Sequence, residues 1–203
     1  TCGARLTMNY MVPGGVMHDI HPNFQRRVKE FIQLYKSKIH EYDELVTGNI
    51  IFQNRMKGVG MLSAEDAISY GCTGPVARGS GVSSDIRKVQ PYEIYDKLEF
   101  DEVLETGCDS FARYLIRIKE MNQSIRIVEQ LIDNIPEGDF QAKTKAVLKL
   151  PKGEFYTRVE TARGELGVYI VSEGGTTPYR IKFRSPGFSN LSVLDKIEKK
   201  KKI

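Results

Sequence analysis

The chain has 203 residues, of which 40% are hydrophobic and 28% are charged, and its formal net charge is +4. This hydrophobic content suffices for one sizeable core or two smaller ones. Five lysines and two acids in residues 195–202 supply most of the net charge, so the rest of the chain is nearly neutral. A broad basic face is therefore missing, and we predict no nucleic-acid partner.

The cysteines are widely spaced and odd in number: Cys2, Cys72 and Cys108. This pattern predicts reduced thiols in a reducing compartment. No run approaches the roughly 20 apolar residues that span a bilayer, and no signal peptide is visible. Because the first residue is threonine, we expect a soluble piece of a longer or processed protein.

The first predicted element is a long helix that begins at His21-Pro22-Asn23, since proline is tolerated in the first turn. Its apolar positions recur at spacings of three and four: Phe24, Val28, Phe31, Ile32, Tyr35, Ile39, Tyr42, Leu45 and Val46. Gly48 is predicted to end this helix with a left-handed cap. A short second helix is predicted to begin at Ser63, a capping residue, and to end at Gly71.

The third predicted helix is capped by the segment Thr106-Gly-Cys-Asp109 and is stopped by Pro136-Glu-Gly138. Its apolar stripe consists of Phe111, Tyr114, Leu115, Ile118, Met121, Ile125, Val128, Leu131, Ile132 and Ile135. Such a helix is roughly 40 Å long and needs partners to be stable. Two long amphipathic helices predict a helical bundle region over residues 1–140.

From residue 150 the apolar period changes to two. Three short segments either alternate between apolar and polar residues or are continuously apolar, and turn residues separate them: 155–160, 166–171 and 179–184. This pattern predicts a three-stranded antiparallel meander over 150–190. Residues 191–203 are interpreted as a truncated basic tail. The predicted fold class is therefore α+β, a helical bundle fragment followed by a small antiparallel β meander.

The segment 71–95 shows neither the helical spacing of three and four nor the strand period of two. It contains four glycines and two prolines. Loops of this length in compact domains are usually functional or disordered, and its regular apolar residues favour an ordered loop. The glycines allow close backbone approach, and Arg78 and Arg87 need anionic or acceptor partners if they are buried. Two interpretations stay open at this point: a functional surface, or an internal ion pair such as Arg87 with Asp85.

The chain contains only incomplete versions of the motifs for nucleotide binding, metal binding and thiol catalysis. Gly79-Ser-Gly81 lacks the third glycine of a dinucleotide loop, and His18 and His21 are too few for zinc. Cys72 is better explained as a buried structural thiol, and no C-x-x-C spacing exists for an iron–sulfur or nickel site. We therefore predict no catalytic residues and no metal site in this chain.

A series of short motifs nevertheless follows one order along the chain. They are Gly3-Ala-Arg-Leu6, Pro13-Gly-Gly-Val16, Arg55-Met-Lys-Gly-Val-Gly60, Arg78-Gly-Ser-Gly-Val82, Asp85-Ile-Arg-Lys88, Arg113-Tyr114, Arg117, Glu120-Met121, Gly164-Glu-Leu-Gly167 and Pro186-Gly-Phe188. Taken together, and as far as Lys196, the sequence resembles the C-terminal portion of the D-type (49 kDa) subunit family of NADH:quinone oxidoreductase, respiratory complex I.

The resemblance implies a peripheral subunit on the cytoplasmic face of a bacterial inner membrane, or on the matrix face in mitochondria. It implies contact with the small subunit that carries the terminal iron–sulfur cluster and with the homologue of the C-type subunit. The quinone and the neighbouring cluster would be the cofactors of the complex, with none bound by this chain. The implied fold is related to the large subunit of nickel–iron hydrogenases, whose metal-binding cysteines are missing here.

The resemblance also assigns candidate positions. The loop residues expected to face the quinone pocket or the cluster-bearing partner are Arg78, Gly79, Ser80, Gly81, Asp85 and Arg87. Thr7 stands where the family has a histidine next to the cluster, and a hydroxyl does not titrate near neutral pH. The family's quinone-contacting histidine and tyrosine lie in an N-terminal half outside this chain, so the isolated chain is expected to be inactive. The rival hypotheses are a purely structural interaction module and the related subunit of a membrane-bound hydrogenase.

Overall fold

The computed structural model describes residues 9–145 and 147–198. Its helices are α1 (Phe24–Tyr42), α2 (Ile50–Met56), α3 (Ala64–Ser69), α4 (Pro75–Arg78), α5 (Ile86–Val89), α6 (Ser110–Leu131), α7 (Pro186–Leu191) and α8 (Leu194–Glu198). Its strands are β1 (Met11–Val12), β2 (Gly15–Val16), β3 (Gly153–Thr161), β4 (Gly164–Ser172) and β5 (Arg180–Arg184). The predicted α+β class is confirmed.

The first long helix ends differently from the prediction. After α1 the chain continues as a π-helical turn, Asp43–Thr47, in which the Gly48 N–H donates to the Asp43 carbonyl at 2.7 Å. Gly48 has φ −76°, so the predicted left-handed cap is wrong. The Asn49 side chain then accepts hydrogen bonds from two backbone N–H groups and begins α2, a helix that the apolar spacing did not predict.

Both predicted N-caps are confirmed. The Ser63 hydroxyl accepts from the Asp66 N–H at 3.1 Å, and an Asp109 carboxylate oxygen accepts from the Ala112 N–H at 2.7 Å. Helix α6 ends at Leu131 and is about 33 Å long, shorter than predicted. A residue that precedes proline avoids the helical conformation, so the apolar stripe continues beyond the helix towards Pro136.

Helices α1 and α6 lie antiparallel, and polar contacts connect α1 to α6 and to the residues that follow α6. Lys29 pairs with Asp133 at 2.5 Å, and the Tyr35 hydroxyl lies 2.9 Å from Asn122 Oδ1. An open apolar groove lies between the helices, lined by Phe31, Leu34, Tyr35, Lys38, Tyr42, Met121, Ser124 and Ile125. The apolar stripes of the two helices therefore do not cover each other fully.

The predicted three-stranded meander is confirmed, with strand order β3-β4-β5 and antiparallel pairing throughout. The register places Phe155, Ile170 and Ile181 in one row on one face. The opposite, polar face contacts the helical region, where Arg158 Nε donates to Gln90 at 2.9 Å. Ile181 is 46% exposed, so the apolar face of the sheet is open to solvent at β5.

The main core cluster contains Leu62, Ala67, Cys72, Ala77 and Val193. Val193 is 1% exposed and lies between α7 and α8. The segment interpreted as a basic tail thus contributes residues to helices and core up to Glu198, and residues 199–203 lie outside the described part. Across residues 9–145 and 147–198, no helix has the length and apolar character needed to cross a bilayer.

Candidate functional site

The glycine- and arginine-rich segment contains two single helical turns, although the sequence predicted no helix there. Pro75 occupies the first turn of α4, and Asp85 caps α5 by accepting from the Arg87 N–H. Helices this short lack the apolar repeats on which the prediction depended. Arg78, Ser80 and Asp85 are all at least 96% buried, so the segment is part of the interior.

Arg78 is the largest fully buried side chain of the described residues, with 1% of its surface exposed. Its Nη1 donates to Glu160 at 2.9 Å and its Nη2 donates to Glu120 at 2.5 Å. Its Nε has no hydrogen-bond partner among the described residues. One guanidinium group thus joins α4 to α6 and to β3.

Asp85 and Arg87 form a second, two-point ion pair. Arg87 Nε lies 2.9 Å from one carboxylate oxygen of Asp85, and Nη2 lies 2.6 Å from the other. The Arg87 guanidinium also lies 4.9 Å from the centre of the Phe100 ring. The internal ion pair that the sequence left as an alternative is therefore present, and Arg78 has internal partners as well.

These charges shift one another's pKa. Burial alone would raise the pKa of Asp85, but hydrogen bonds from Arg87 and the nearby Arg78 charge hold it below its usual value. Burial raises the pKa of Glu160, and the Asp85 charge adds to this effect against the attraction of Arg78. Asp85, Glu120 and Glu160 thus surround two guanidinium groups, and burial is the main cause of the raised Glu160 pKa.

The remaining predicted loop residues are held by neighbouring segments. The Ser80 hydroxyl donates to the Leu62 carbonyl at 2.7 Å, and the Gly79 carbonyl accepts from the Cys108 N–H at 3.0 Å. Gly81 has φ +78°, which suits its place after the turn. These contacts fix the loop between the chain that precedes α3 and the chain that leads into α6.

Glycine permits one especially close approach. Gly74 has φ +66°, and a Cβ there would lie 2.4 Å from the Cα of Gly164, at the start of β4. The predicted close backbone approach therefore exists, and its partner is the β3–β4 hairpin of the same chain. The hairpin is further fixed by Asn190, which donates to the Arg163 carbonyl at 3.0 Å.

An open cavity of about 540 Å³, here called the Arg78 groove, borders the ion network. It is lined by Arg78, Arg87, Tyr95, Arg117, Glu120, Met121, Ser124, Glu160, Thr161, Ala162 and Arg163. Of the predicted loop residues, Arg78 and Arg87 line the groove, whereas Gly79, Ser80, Gly81 and Asp85 are not among its lining residues. Thr7 lies outside the described residues.

Sequence reasoning missed the two glutamates that hold Arg78. Glu120 lies 42 residues from Arg78 and Glu160 lies 82 residues from it, in a helix and in a strand. Glu160 belongs to a strand of alternating polarity, where its position is typical of an ordinary solvent-facing residue. The one available signal was a buried arginine that required a carboxylate partner.

In the comparison with protein families, one family model matches the whole length of the chain. The model of the family described as the respiratory-chain NADH dehydrogenase 49 kDa subunit matches residues 1–149 and 144–203. The chain belongs to this family.

Several 49 kDa-family relatives are about half identical to this chain. The combined C/D subunit of the NADH-quinone oxidoreductase of Bacteroides thetaiotaomicron is 53% identical over 197 residues, covering 97% of the chain and 37% of that protein. The D-type subunit of Desulforamulus reducens is 48% identical over 195 residues, covering 96% of the chain and 53% of the relative. The chain therefore spans about half the length of the D-type relatives.

A solved structure has the same fold. It belongs to the membrane-bound sulfane sulfur reductase, an archaeal respiratory membrane complex, with a TM-score of 0.85 and 34% sequence identity. The likeness covers 93% of this chain and 52% of that one. The 49 kDa-family fold therefore also occurs in a respiratory complex that is named for a different reaction.

Proposed function

We propose that this chain is part of the quinone-site subunit of an NADH:quinone oxidoreductase, which couples electron transfer from NADH to quinone with proton translocation. The observation that carries the proposal is identity of about half, over nearly the whole chain, with the D-type and combined C/D proteins of that enzyme. The sulfane sulfur reductase protein is less similar. The electron acceptor is therefore better inferred from the sequence relatives than from the shared fold.

In this proposal the chain shapes the site and carries no redox cofactor of its own. Cys72 lies in the apolar core, and the Cys108 thiol lies against the Thr106 carbonyl. These two separate thiols do not fit an iron–sulfur cluster, which takes several cysteine ligands. Electrons would pass through a cluster held by the neighbouring small subunit, next to which Thr7 would lie.

The part of this chain that would face the quinone or the cluster-bearing subunit is the Arg78 groove. Arg78 and Arg87 are each fixed there by two hydrogen bonds to carboxylates. Arg87 lies at the surface of the groove with 15% of its side chain exposed. Such fixed hydrogen-bond donors orient neighbouring groups and tune a redox centre without carrying electrons. The complex would place the chain peripherally, on the cytoplasmic or matrix face of its membrane.

The homologue of the C-type subunit is a further proposed partner. The Bacteroides relative bears both letters in its name, which indicates that the C and D parts form one protein there. Two proteins that occur fused in a relative commonly contact each other when separate, so a C-type homologue is expected next to this chain in the complex.

The test is Arg87→Lys in the assembled complex. Lysine keeps the positive charge but loses the two-point contact with Asp85. We expect NADH:quinone reductase activity to fall about tenfold, while assembly and NADH oxidation with a water-soluble artificial acceptor stay unchanged. Arg126→Lys is the matched control, because Arg126 is an exposed, ion-paired arginine away from the groove.

The structural rival predicts a different result. If the loop only packs against other subunits, Arg87→Lys leaves quinone reduction unchanged or reduces assembly together with both activities. Either result would remove the proposed role of the Arg78 groove.

A further inference from the structure

Glu160 carries a buried carboxylate that the proposed function does not use. Its side chain is 3% exposed and lies against Arg78, which is 1% exposed. Glu120, on α6, contacts the same guanidinium group and is 19% exposed. Both glutamates line the Arg78 groove, the open cavity of about 540 Å³. One buried acid and one partly exposed acid thus share a single arginine at the edge of a cavity.

Hydrogen bonds stabilise the Glu160 carboxylate less than that of its neighbour Asp85. Asp85 accepts three hydrogen bonds from Arg87: from Nε at 2.9 Å, from Nη2 at 2.6 Å and from the backbone N–H at 3.0 Å. Glu160 accepts from Arg78 Nη1 at 2.9 Å and, over a long contact of 3.3 Å, from the Ile86 N–H. Because hydrogen bonds to a carboxylate favour its ionised form, Glu160 is the easier of the two acids to protonate.

The pKa values of the two acids are shifted in opposite directions. Burial raises the pKa of Glu160, and the charge of Asp85 raises it further against the attraction of Arg78. Burial would also raise the pKa of Asp85, but the hydrogen bonds and charge of Arg87 hold it below its usual value. Neighbouring acids with pKa values shifted apart are typical of a proton donor beside a group that stays ionised.

Glu160 faces charged and titratable groups on each element packed around it. The Tyr92 hydroxyl accepts from the Glu160 backbone N–H at 3.2 Å, and Glu165 lies opposite Glu160 in the β3–β4 register. The other groups are Arg78 on α4, Asp85 and Arg87 at α5, Glu120 on α6, and Arg117 and Arg163 across the groove. Within residues 9–145 and 147–198, Arg78 is the one cation that forms an ion pair with Glu160.

The second glutamate allows the first to change its protonation state. If Glu160 takes up a proton, Arg78 still has the Glu120 carboxylate as its partner, so no buried charge is left without compensation. A cluster with one arginine and one acid would lose its ion pair in the same step.

We propose that Glu160 stores a proton, releases it into the Arg78 groove when a quinone there is reduced, and regains one from water afterwards. The inference rests on the proposed function, since the electrons come from NADH through the iron–sulfur cluster of the neighbouring subunit. The O–H bond of the Glu160 carboxyl group breaks, and a new O–H bond forms on an oxygen of the reduced quinone. This supplies one of the two protons that quinone reduction consumes, and the carboxylate that remains pairs with Arg78.

The first experiment measures the pH profile of quinone reduction by the assembled complex. Glu160 holds its proton below its pKa, so we expect one limb on which the wild-type rate falls as the pH rises. Glu160→Gln stores no proton, and its rate should be about a hundredfold lower and should lack that limb. NADH oxidation with a water-soluble artificial acceptor should stay unchanged. A Glu160→Gln profile that keeps every wild-type limb would overturn the proposal.

Two further variants separate proton storage from a structural role. Glu160→Asp keeps a titratable carboxyl group and should retain the limb at a displaced pH. Glu165→Gln, on the paired strand and outside the groove lining, is the matched control and should also retain it. Loss of the limb in Glu160→Asp or in Glu165→Gln would assign it to the structure of the hairpin and contradict the proposal.

The second experiment observes the carboxyl group directly. Infrared difference spectra of the assembled complex, recorded before and after reduction by NADH, should contain a carboxyl C=O band that changes on reduction and shifts in D2O. The band should be missing in Glu160→Gln and present in Glu165→Gln. Identical difference spectra for Glu160→Gln and the wild type would count against proton storage at Glu160.

These results are separable from the proposed function. A wild-type complex that oxidises NADH without reducing quinone removes the proposed function itself. A complex that reduces quinone with the same pH profile in the wild type and in Glu160→Gln retains the proposed function and removes only the stored proton.

Discussion

Arg78 and its two glutamates decide the local chemistry of this chain at the scale of single residues. Its 1% exposure means that both ion pairs operate with little water around the guanidinium group. Removing one partner of such a cluster leaves a buried charge without compensation, which is the costly change, whereas the intact cluster adds little net stability. Substitutions at Arg78, Glu120 or Glu160 are therefore costly, although the intact cluster adds little to the free energy of unfolding.

Arg78→Met tests this constraint. The variant leaves Glu120 and Glu160 without their cation, and we expect a loss of about 3–5 kcal/mol in the free energy of unfolding at pH 8. Urea unfolding at low protein concentration measures it. Arg126→Met, which removes a pair on the surface, should cost less than about 1 kcal/mol.

The pH dependence of the same variant has a definite sign. Glu160 has a raised pKa in the folded chain, so its ionisation disfavours folding as the pH rises through that pKa. Loss of the Arg78 charge raises the Glu160 pKa further. Arg78→Met should therefore be less damaging at pH 5 than at pH 8, and an equal loss at both values would contradict the assigned shift.

At the scale of elements, the decisive contact is between the helical region and the β3–β4 hairpin. Gly74 and Gly164 approach so closely that neither position has room for a side chain. Arg78, Thr73 and Asn190 add hydrogen bonds across the same junction. The meander is thus held at one end of the helical region by backbone approach and by buried polar contacts.

Gly74→Ala tests the junction, with Gly71→Ala as its control. Both glycines have positive φ, +66° and +65°, but a Cβ at Gly71 meets nothing within 4 Å. Gly71→Ala should cost about 1 kcal/mol for its backbone conformation alone, whereas Gly74→Ala should cost at least twice as much. Urea unfolding compares them, and equal losses would show that the close approach contributes nothing.

At the scale of the whole molecule, much apolar surface is exposed on separate faces. Phe31 and Leu34 on α1 are 54% and 55% exposed, and Phe183 on β5 is 62% exposed. Monomeric proteins rarely expose contiguous apolar patches beyond a few hundred Å². Exposed apolar faces of this kind favour contact with other polypeptide surfaces.

The chain in isolation should therefore self-associate. We expect a concentration-dependent increase of particle size in light scattering, and a reduced increase for Phe31→Lys with Leu34→Lys, which places charge in the groove between α1 and α6. A double change of the exposed lysines Lys143 and Lys145 to Glu serves as the control. A monodisperse monomer at all concentrations would count against this prediction.

The amino-acid sequence by itself determined the two long helices, the β meander and the family of this protein. Apolar spacing predicted α1 and α6, period-two alternation predicted the meander, and Ser63 and Asp109 marked two helix starts, because these signals are local in the chain. The ordered motifs indicated the family for the same reason. Prediction failed at the end of α1 and at α2, α4 and α5, where short turns lack a repeat.

Only the tertiary structure decided which charges meet. Nothing local relates Arg78 to Glu160, 82 residues away, or to Glu120, 42 residues away. Such pairings depend on how helix and hairpin pack, and a buried charge is satisfied by whichever carboxylate the fold brings within about 3 Å. Local patterns therefore determined the elements, and packing determined the site.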